Sequence, residues 1–193
     1  MTHHDEPSGS RPLWVINRMP AAEFAALFAG VFEQTPWIAA KASLERPFAS
    51  KQALLGAMTK ALMAASEEDQ LALLAAHPTL GGEAAKRGEV TASSRAEQAG
   101  LGLDRMVGDE EAAFAAMNLA YQRRFGFPFI IAVKGQRDRA AILAALTRRF
   151  DSTLEAERQA ALAEVVKIAS FRLDALIDDT AVVEPGASGE AAL

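Results

Sequence analysis

The sequence predicts an all-α fold, a single-domain globule of about seven to nine helices with disordered termini. Apolar residues recur every three or four positions along most of the chain, which is the spacing of one helical face. Half of the 193 residues are hydrophobic and 23% are charged, as in ordinary globular domains. Only FPFIIAV, residues 127–133, has the pattern of a strand. Because a lone strand has no backbone partner, we expect there a buried extended segment or irregular turn packed by helices.

Three helical elements are expected before residue 64. An apolar stripe runs through residues 20–34, and a short element follows in TPWIAAKA at 35–42. Ser50 begins a longer helix. The residues expected to face the core here are Phe24, Leu27, Phe28, Val31, Phe32, Leu54, Leu55, Met58 and Leu62.

The next helix lies in SEEDQLALLAAHP, residues 66–78. Ser66 and Asp69 have the spacing of an N-terminal cap. The residues expected to face inward are Leu71, Leu74 and Ala75. Pro78 disfavours helical geometry at the residue before it, so the helix should end near His77. Glycines at 81, 82 and 88 suit a sharply turning loop.

Four further helices are expected at residues 91–101, 109–124, 137–149 and 152–178. Gly126 is expected to cap the C-terminus of the second of these. Ser152, followed by Glu155 three residues on, opens the last one. The stripe expected to face inward between 109 and 124 consists of Phe114, Met117, Ala120 and Tyr121.

Composition excludes several classes of function. Without cysteine there is no disulfide, thiol nucleophile or thiolate metal site. The net charge of −5 comes with no basic block, which argues against a nucleic-acid partner. No apolar run approaches the ~20 residues of a membrane span. Residues 1–12 lack the pattern of a secretory signal, so we expect no membrane partner and a cytoplasmic location.

A metal site is not expected either. Of the three histidines, His3 and His4 lie in a polar terminal stretch, which leaves His77 alone in the body of the chain. A site built from two or three imidazoles inside the fold is therefore excluded. No DxD-like cluster suggests a carboxylate site for Mg²⁺.

Two groups of polar residues are candidates for chemistry, and each has a structural alternative. His77 either interacts with the dipole at a helix C-terminus or takes part in a reaction. Ser94, Glu97 and Gln98 are spaced i, i+3, i+4, so in a helix their side chains share one face. Ser94 and Glu97 alternatively form a capping box, whereas a helix starting at Thr91 would leave both side chains free.

Arg172 lies in the apolar stretch KIASFRLDALI. An arginine in such surroundings either extends its charged end to the surface or points inward. An inward arginine needs an anion as its partner, and a substrate carboxylate or a glutamate would serve.

Four segments together resemble a known enzyme family. They are HPTLGG at 77–82, VTASSRAEQAGL at 90–101, NLAYQRRFGFPFIIAVKG at 118–135 and KIASFRL at 167–173. INRMPAAEFAALFAGVFEQTPWIAAKA and ERPFAS fit as well. In this order they resemble the decarboxylase of urate breakdown that acts on 2-oxo-4-hydroxy-4-carboxy-5-ureidoimidazoline (OHCU). The resemblance covers about residues 15–178, which leaves flexible tails at 1–14 and 179–193.

The resemblance implies an all-helical, cofactor-free enzyme, usually a homodimer, that converts a small-molecule ureide to (S)-allantoin. It implies His77 and Glu97 as catalytic residues. It also implies a substrate-binding set consisting of Pro78, Ser94, Gln98, Phe129, Ile130, Ile131, Ala132, Val133 and Arg172, the residues 129–133 through main-chain groups. Thr79 stands where the family usually has aspartate, which affects hydrogen bonding in the loop.

Two other functions compete with this interpretation. A helical interaction module would use the apolar stripes for packing alone and would have no pocket joining His77, Glu97 and Arg172. A hydrolase or isomerase acting on a related ureide would use the same pocket for a different reaction.

Overall fold

The computed structural model describes residues 9–80 and 108–178, and within them the expected all-α fold is confirmed. These ranges contain eight α-helices, one short 3₁₀ helix and two two-residue strands. In chain order the elements are β1 (Arg11–Pro12), α1 (Leu13–Arg18), α2 (Ala21–Leu27), α3 (Pro36–Ala42), the 3₁₀ helix (Ser43–Glu45), α4 (Lys51–Met63), α5 (Glu67–Ala75), α6 (Gly108–Phe125), α7 (Arg139–Phe150), α8 (Leu154–Leu176) and β2 (Ile177–Asp178). The helix expected at 91–101, the glycine turn before it and the C-terminal tail lie outside the described residues.

Side-chain caps begin two helices as the sequence predicts. The Ser50 hydroxyl accepts a hydrogen bond from the Ala53 N–H at 3.1 Å and begins α4. The Ser66 hydroxyl likewise accepts from the Asp69 N–H at 3.1 Å and begins α5. Each bond satisfies one of the N–H groups that the first helical turn leaves without a partner.

The cap of α8 is one residue later than expected. The Thr153 hydroxyl, and not that of Ser152, accepts from the Ala156 N–H at 3.2 Å. Ser152 instead belongs to the turn after α7, where its N–H donates to the Arg149 carbonyl. Both residue types cap helices well, so composition alone does not choose between adjacent ones.

The first long helix is shorter than its apolar stripe suggests. α2 ends at Leu27, and the chain turns through residues 28–33 instead of continuing as a helix to residue 34. Phe28, Val31 and Phe32 are nevertheless buried. The turn ends at Glu33, whose φ of 53° is in the left-handed region that few residues with a side chain adopt. A turn packed on the core can have the same apolar spacing as a helix, so the spacing does not show that α2 ends at Leu27.

The core matches the expected stripes with a few differences. Ala75 and Ala120, expected to face inward, are exposed, whereas Leu73 and Asn118 are buried. Small side chains such as alanine gain little from burial, so they are weak markers of the inner face. Four residues of the expected set are only partly buried, namely Leu27, Leu55, Leu71 and Met117. Helix α8 packs on α4 and α5, and α3 packs on α2 and α4.

The two ends of the described chain meet. β1 pairs in parallel with β2, with Arg11 opposite Ile177, and the neighbouring Leu13 is 1% exposed. Residues 11–14, which the sequence assigns to a flexible tail, are therefore part of the packed structure. A two-residue strand has no periodicity that would predict it. No helix in the described ranges is long and apolar enough to cross a membrane.

FPFIIAV has the expected form, a buried segment without regular structure. Every residue from 127 to 133 is buried. Helices supply the partners of its backbone: the Ile130 carbonyl accepts from Arg149 Nη1 at 2.8 Å, and the Ala132 N–H donates to Glu164 Oε2 at 2.9 Å. These bonds replace the ladder that a lone strand lacks.

Candidate active site

His77 lies immediately after α5, where its backbone N–H donates to the Leu74 carbonyl at 3.2 Å. The imidazole is 7% exposed, and its Nδ1 is 2.9 Å from the Leu73 carbonyl oxygen. Because a carbonyl oxygen only accepts hydrogen bonds, this contact requires the proton on Nδ1. In the neutral ring, Nε2 then carries the lone pair.

The Nε2 atom of His77 is buried and has no hydrogen-bond partner within the described parts of the chain. Burial lowers the pKa of His77 below its ordinary value of 6.5 because it disfavours the imidazolium. The Leu73 carbonyl and the Glu33 carboxylate oppose this shift, and the Arg172 guanidinium adds to it. At neutral pH the ring is therefore neutral, with an acceptor nitrogen ready to take a proton.

Arg172 points inward from α8 and is 7% exposed. Its Nη1 donates to Glu33 Oε2 at 2.6 Å and to the carbonyls of Gly30 and Val31 at 2.9 and 3.4 Å. The alternative in which this arginine reaches the surface is therefore wrong. The partner required for an inward arginine is a glutamate of the turn after α2.

Glu33 is the residue of this cluster that sequence reasoning missed. Its side chain is buried, and its charge acts on His77 together with that of Arg172. Had α2 continued as a helix, nine residues at about 100° each would place Glu33 opposite Phe24, facing solvent. The turn instead directs the Glu33 side chain into the protein, and no periodicity in the sequence indicates this turn.

The structure brings His77, Glu33 and Arg172 together and leaves part of the expected site undescribed. Ser94, Glu97 and Gln98 lie outside residues 9–80 and 108–178, so their positions stay predictions. Pro78 and Thr79 follow His77 and are half-buried.

The main-chain groups of residues 129–133 are partly occupied. Ala132 uses both of its groups within the protein, its N–H with Glu164 and its carbonyl with Gln136 Nε2 at 3.2 Å. The Ile130 and Val133 carbonyls also have protein partners. Substrate contacts by this segment would therefore involve its other main-chain groups.

A buried ion cluster of Glu157, Arg149 and Tyr121 holds the segment 127–133 in place. Glu157 is fully buried and receives Arg149 Nε at 3.0 and 3.1 Å on its two oxygens, together with the Tyr121 hydroxyl. Burial and the nearby carboxylate raise the pKa of Tyr121 well above its usual range, so it stays a donor. Arg149 in turn holds the Ile130 carbonyl and lies 4.8 Å from the Phe129 ring centroid.

Among the residues that the structure describes, no three histidine, cysteine, aspartate or glutamate side chains are grouped so that they could hold an ion. In the described part of the chain, this site combines the neutral imidazole of His77 with the ion pair of Arg172 and Glu33.

Comparison with known proteins identifies the family. The family model described as OHCU decarboxylase matches residues 17–174, which include His77, Glu33 and Arg172. The chain belongs to the OHCU decarboxylase family. The 2-oxo-4-hydroxy-4-carboxy-5-ureidoimidazoline decarboxylase of Haloferax volcanii is 42% identical to it over 158 residues, covering 82% of this chain and 91% of that protein.

Two longer proteins are similar to this chain over part of their length. The uric acid degradation bifunctional protein of a Bacillus species is 37% identical over 158 residues, which are 82% of this chain and 30% of that protein. A crystal structure of (S)-allantoin synthase aligns with a TM-score of 0.67 and 29% identity, covering 87% of this chain and 54% of the other. This chain thus spans about half of that synthase and less than a third of the bifunctional protein.

Proposed function

We propose that this protein decarboxylates OHCU to (S)-allantoin in urate degradation, without a cofactor. The match to the OHCU decarboxylase family over residues 17–174 carries the proposal. It favours an enzyme over a helical interaction module, and the buried Nε2 of His77 supports the same choice. The (S)-allantoin named for the similar crystal structure is the expected product. We further propose a homodimer, as the family resemblance implies, and a cytoplasmic location. The proposed domain covers residues 15–178 together with the packed residues 11–14.

The reaction needs an acceptor for the electron pair released with carbon dioxide. In OHCU the bond from C4 to the carboxylate breaks, and its electrons form a double bond between C4 and C5. The electrons of the ring C=N bond move to nitrogen, which takes a proton. The 4-hydroxyl then loses its proton and becomes a carbonyl as C5 is protonated on one face. The anionic substrate thus takes up one proton for each carbon dioxide released, and the protein needs only to bind, orient and move protons.

His77 is the proposed base for the 4-hydroxyl proton. Its Nδ1–H is held by the Leu73 carbonyl, so Nε2 is the nitrogen that can accept. The lowered pKa keeps that nitrogen unprotonated near neutral pH. Burial also excludes water, which strengthens a hydrogen bond to the substrate hydroxyl.

Arg172 is the proposed anchor for the substrate carboxylate or a ring carbonyl. A guanidinium has five N–H groups in one plane, which suits a planar carboxylate or carbonyl acceptor, and the Glu33 carboxylate holds its Nη1 in place. Glu97 is proposed to orient His77 or to share the proton transfer. Residues proposed to hold the ring and ureido group are Pro78, Ser94, Gln98 and main-chain groups of 129–133. A fixed substrate face would give one enantiomer.

The decisive experiment follows optical activity with freshly generated OHCU. Spontaneous decay gives racemic allantoin, whereas the wild-type protein should give the (S) form. His77→Ala should abolish that enantiomeric excess while circular dichroism shows an unchanged helical fold. His4→Ala is the matched control, because that histidine lies outside the residues matched by the family. Wild-type rates in His77→Ala would refute the assignment of the base.

A further inference from the structure

We propose that Glu33 is a positioning residue, whose carboxylate orients the Arg172 guanidinium and balances its charge beside His77. This inference rests on the proposed function for its kinetic part. The proposed reaction steps do not involve Glu33, although its carboxylate is buried and its charge acts on His77.

The geometry of the turn after α2 supports this role. Residues 30–33 present three oxygen atoms to one nitrogen of Arg172, the carboxylate of Glu33 and the carbonyls of Gly30 and Val31. Three acceptors on Nη1 restrict rotation of the guanidinium plane. The face that this plane offers to a substrate is therefore set by the turn.

The backbone of Glu33 indicates that its place is strongly determined. A φ of 53° is unfavourable for a residue with a long side chain, because the side chain then approaches the backbone too closely. Such conformations persist where the surroundings require them, and they cluster at functional sites. Here the left-handed turn aims a buried carboxylate at Arg172 instead of at solvent.

Charge explains why His77 needs this carboxylate. An uncompensated guanidinium would hold the imidazole in its neutral form and make it a weaker base. The Glu33 carboxylate raises the pKa of His77 against the effects of burial and of Arg172. Among the described residues these are the charged groups that act on His77. The pair thus keeps a net neutral charge next to a base that must accept a proton.

The test combines two substitutions at Glu33 with a matched control. Glu33→Gln keeps the shape and removes the charge, whereas Glu33→Asp keeps the charge and withdraws it by one methylene. The control is Glu45→Gln, which removes the carboxylate of an exposed ion pair with Lys60 at 3.0 Å. For each variant we would measure kcat and KM for OHCU, the melting temperature, and the proton NMR titration of His77 without substrate. The signal lost in His77→Asn identifies that histidine among the three in the chain.

Glu33→Gln should lower kcat/KM roughly tenfold to a hundredfold, the scale of a misplaced binding group. It should also move the His77 titration to lower pH. Glu33→Asp should leave that titration near the wild-type position but raise KM, because the shorter side chain no longer sets the guanidinium. Glu45→Gln should match the wild type in all three measurements.

The proposal is overturned if folded Glu33→Gln keeps the wild-type kcat/KM and His77 titration, since a merely structural ion pair would change the melting temperature alone. If Glu33→Gln does not fold, Glu33→Asp decides, and wild-type kinetics in that variant refute positioning. A wild-type protein that makes no (S)-allantoin refutes the proposed function. The His77 titration still tests the charge balance in that case, because it uses no substrate.

Discussion

Replacing Glu157 with glutamine tests whether the buried ion cluster holds the FPFIIAV segment in place. Glu157 is fully buried and is bonded by Arg149 and the Tyr121 hydroxyl. Arg149 also holds the Ile130 carbonyl at 2.8 Å. Glutamine keeps the shape and one acceptor oxygen, but it leaves the Arg149 charge largely buried without its counterion.

The expected loss of stability is about 3 kcal/mol. Removing one partner of a buried ion pair costs about 3–5 kcal/mol, and the remaining glutamine oxygen places this variant near the lower end. For a domain of this size each 1 kcal/mol lowers the melting temperature by about 2–4 °C, so a decrease of roughly 6–12 °C follows. KM should rise as well, because Arg149 no longer fixes the carbonyl of Ile130.

Thermal unfolding followed by circular dichroism measures the decrease in melting temperature. Steady-state kinetics with OHCU measures the rise in KM. Glu155→Gln is the matched control on the same helix, since Glu155 pairs with Arg158 at 2.6 Å and is 63% exposed. Exposed pairs of this kind contribute little because water screens them, so the control should melt like the wild type. A Glu157→Gln variant that also melts within 2 °C of the wild type would contradict the reasoning, with ~2 °C taken as less than 1 kcal/mol.

Four further predictions concern Arg172, His77 and Gly126. Arg172→Lys keeps a positive charge beside Glu33 but loses the planar guanidinium with its forked N–H donors. KM should therefore rise roughly tenfold to a hundredfold in steady-state assays. An unchanged KM would argue against substrate anchoring by Arg172. Burial lowers the pKa of His77, so kcat/KM should stay level down to about pH 6.5 and fall only below that pH. A pH profile whose acid limb is centred above about 6.5 would contradict the role of His77 as a neutral base. The unfolded chain takes up the proton first, so stability should also decline as the pH falls below about 6.5. Gly126→Ala should destabilise the protein by about 1–2 kcal/mol in thermal unfolding, because φ at this position is +82°. Gly56→Ala within α4 should stabilise the protein, because alanine favours a helix over glycine. Equal effects of the two substitutions would refute the argument from backbone conformation.

Local chemistry made much of the fold predictable. The caps at Ser50 and Ser66 act over three residues, and the positive φ of Gly126 ends α6 within its own turn. The buried, irregular form of FPFIIAV also followed from the sequence, because a single strand has no backbone partner. These interactions are short in range, so the sequence contains all of their participants side by side.

The ends of elements were less predictable where packing decides them. Apolar spacing placed residues 20–34 in one helix, but the chain leaves the helix at Leu27 so that it can reverse into α3. A turn that packs on the core buries the same kinds of side chains as a helix does. The paired strands at Arg11 and Ile177 depend on two chain ends that meet only in the folded protein.

The sequence alone determined the helical class, the family resemblance and His77 as the candidate base. Only the tertiary structure decided what surrounds that histidine: the Leu73 carbonyl that fixes its tautomer, and the ion pair of Arg172 with Glu33. Those last two residues are 139 positions apart and lie 2.6 Å from each other in space. No local pattern encodes such a contact, because burial of a charge and the choice of its partner depend on how separate helices pack.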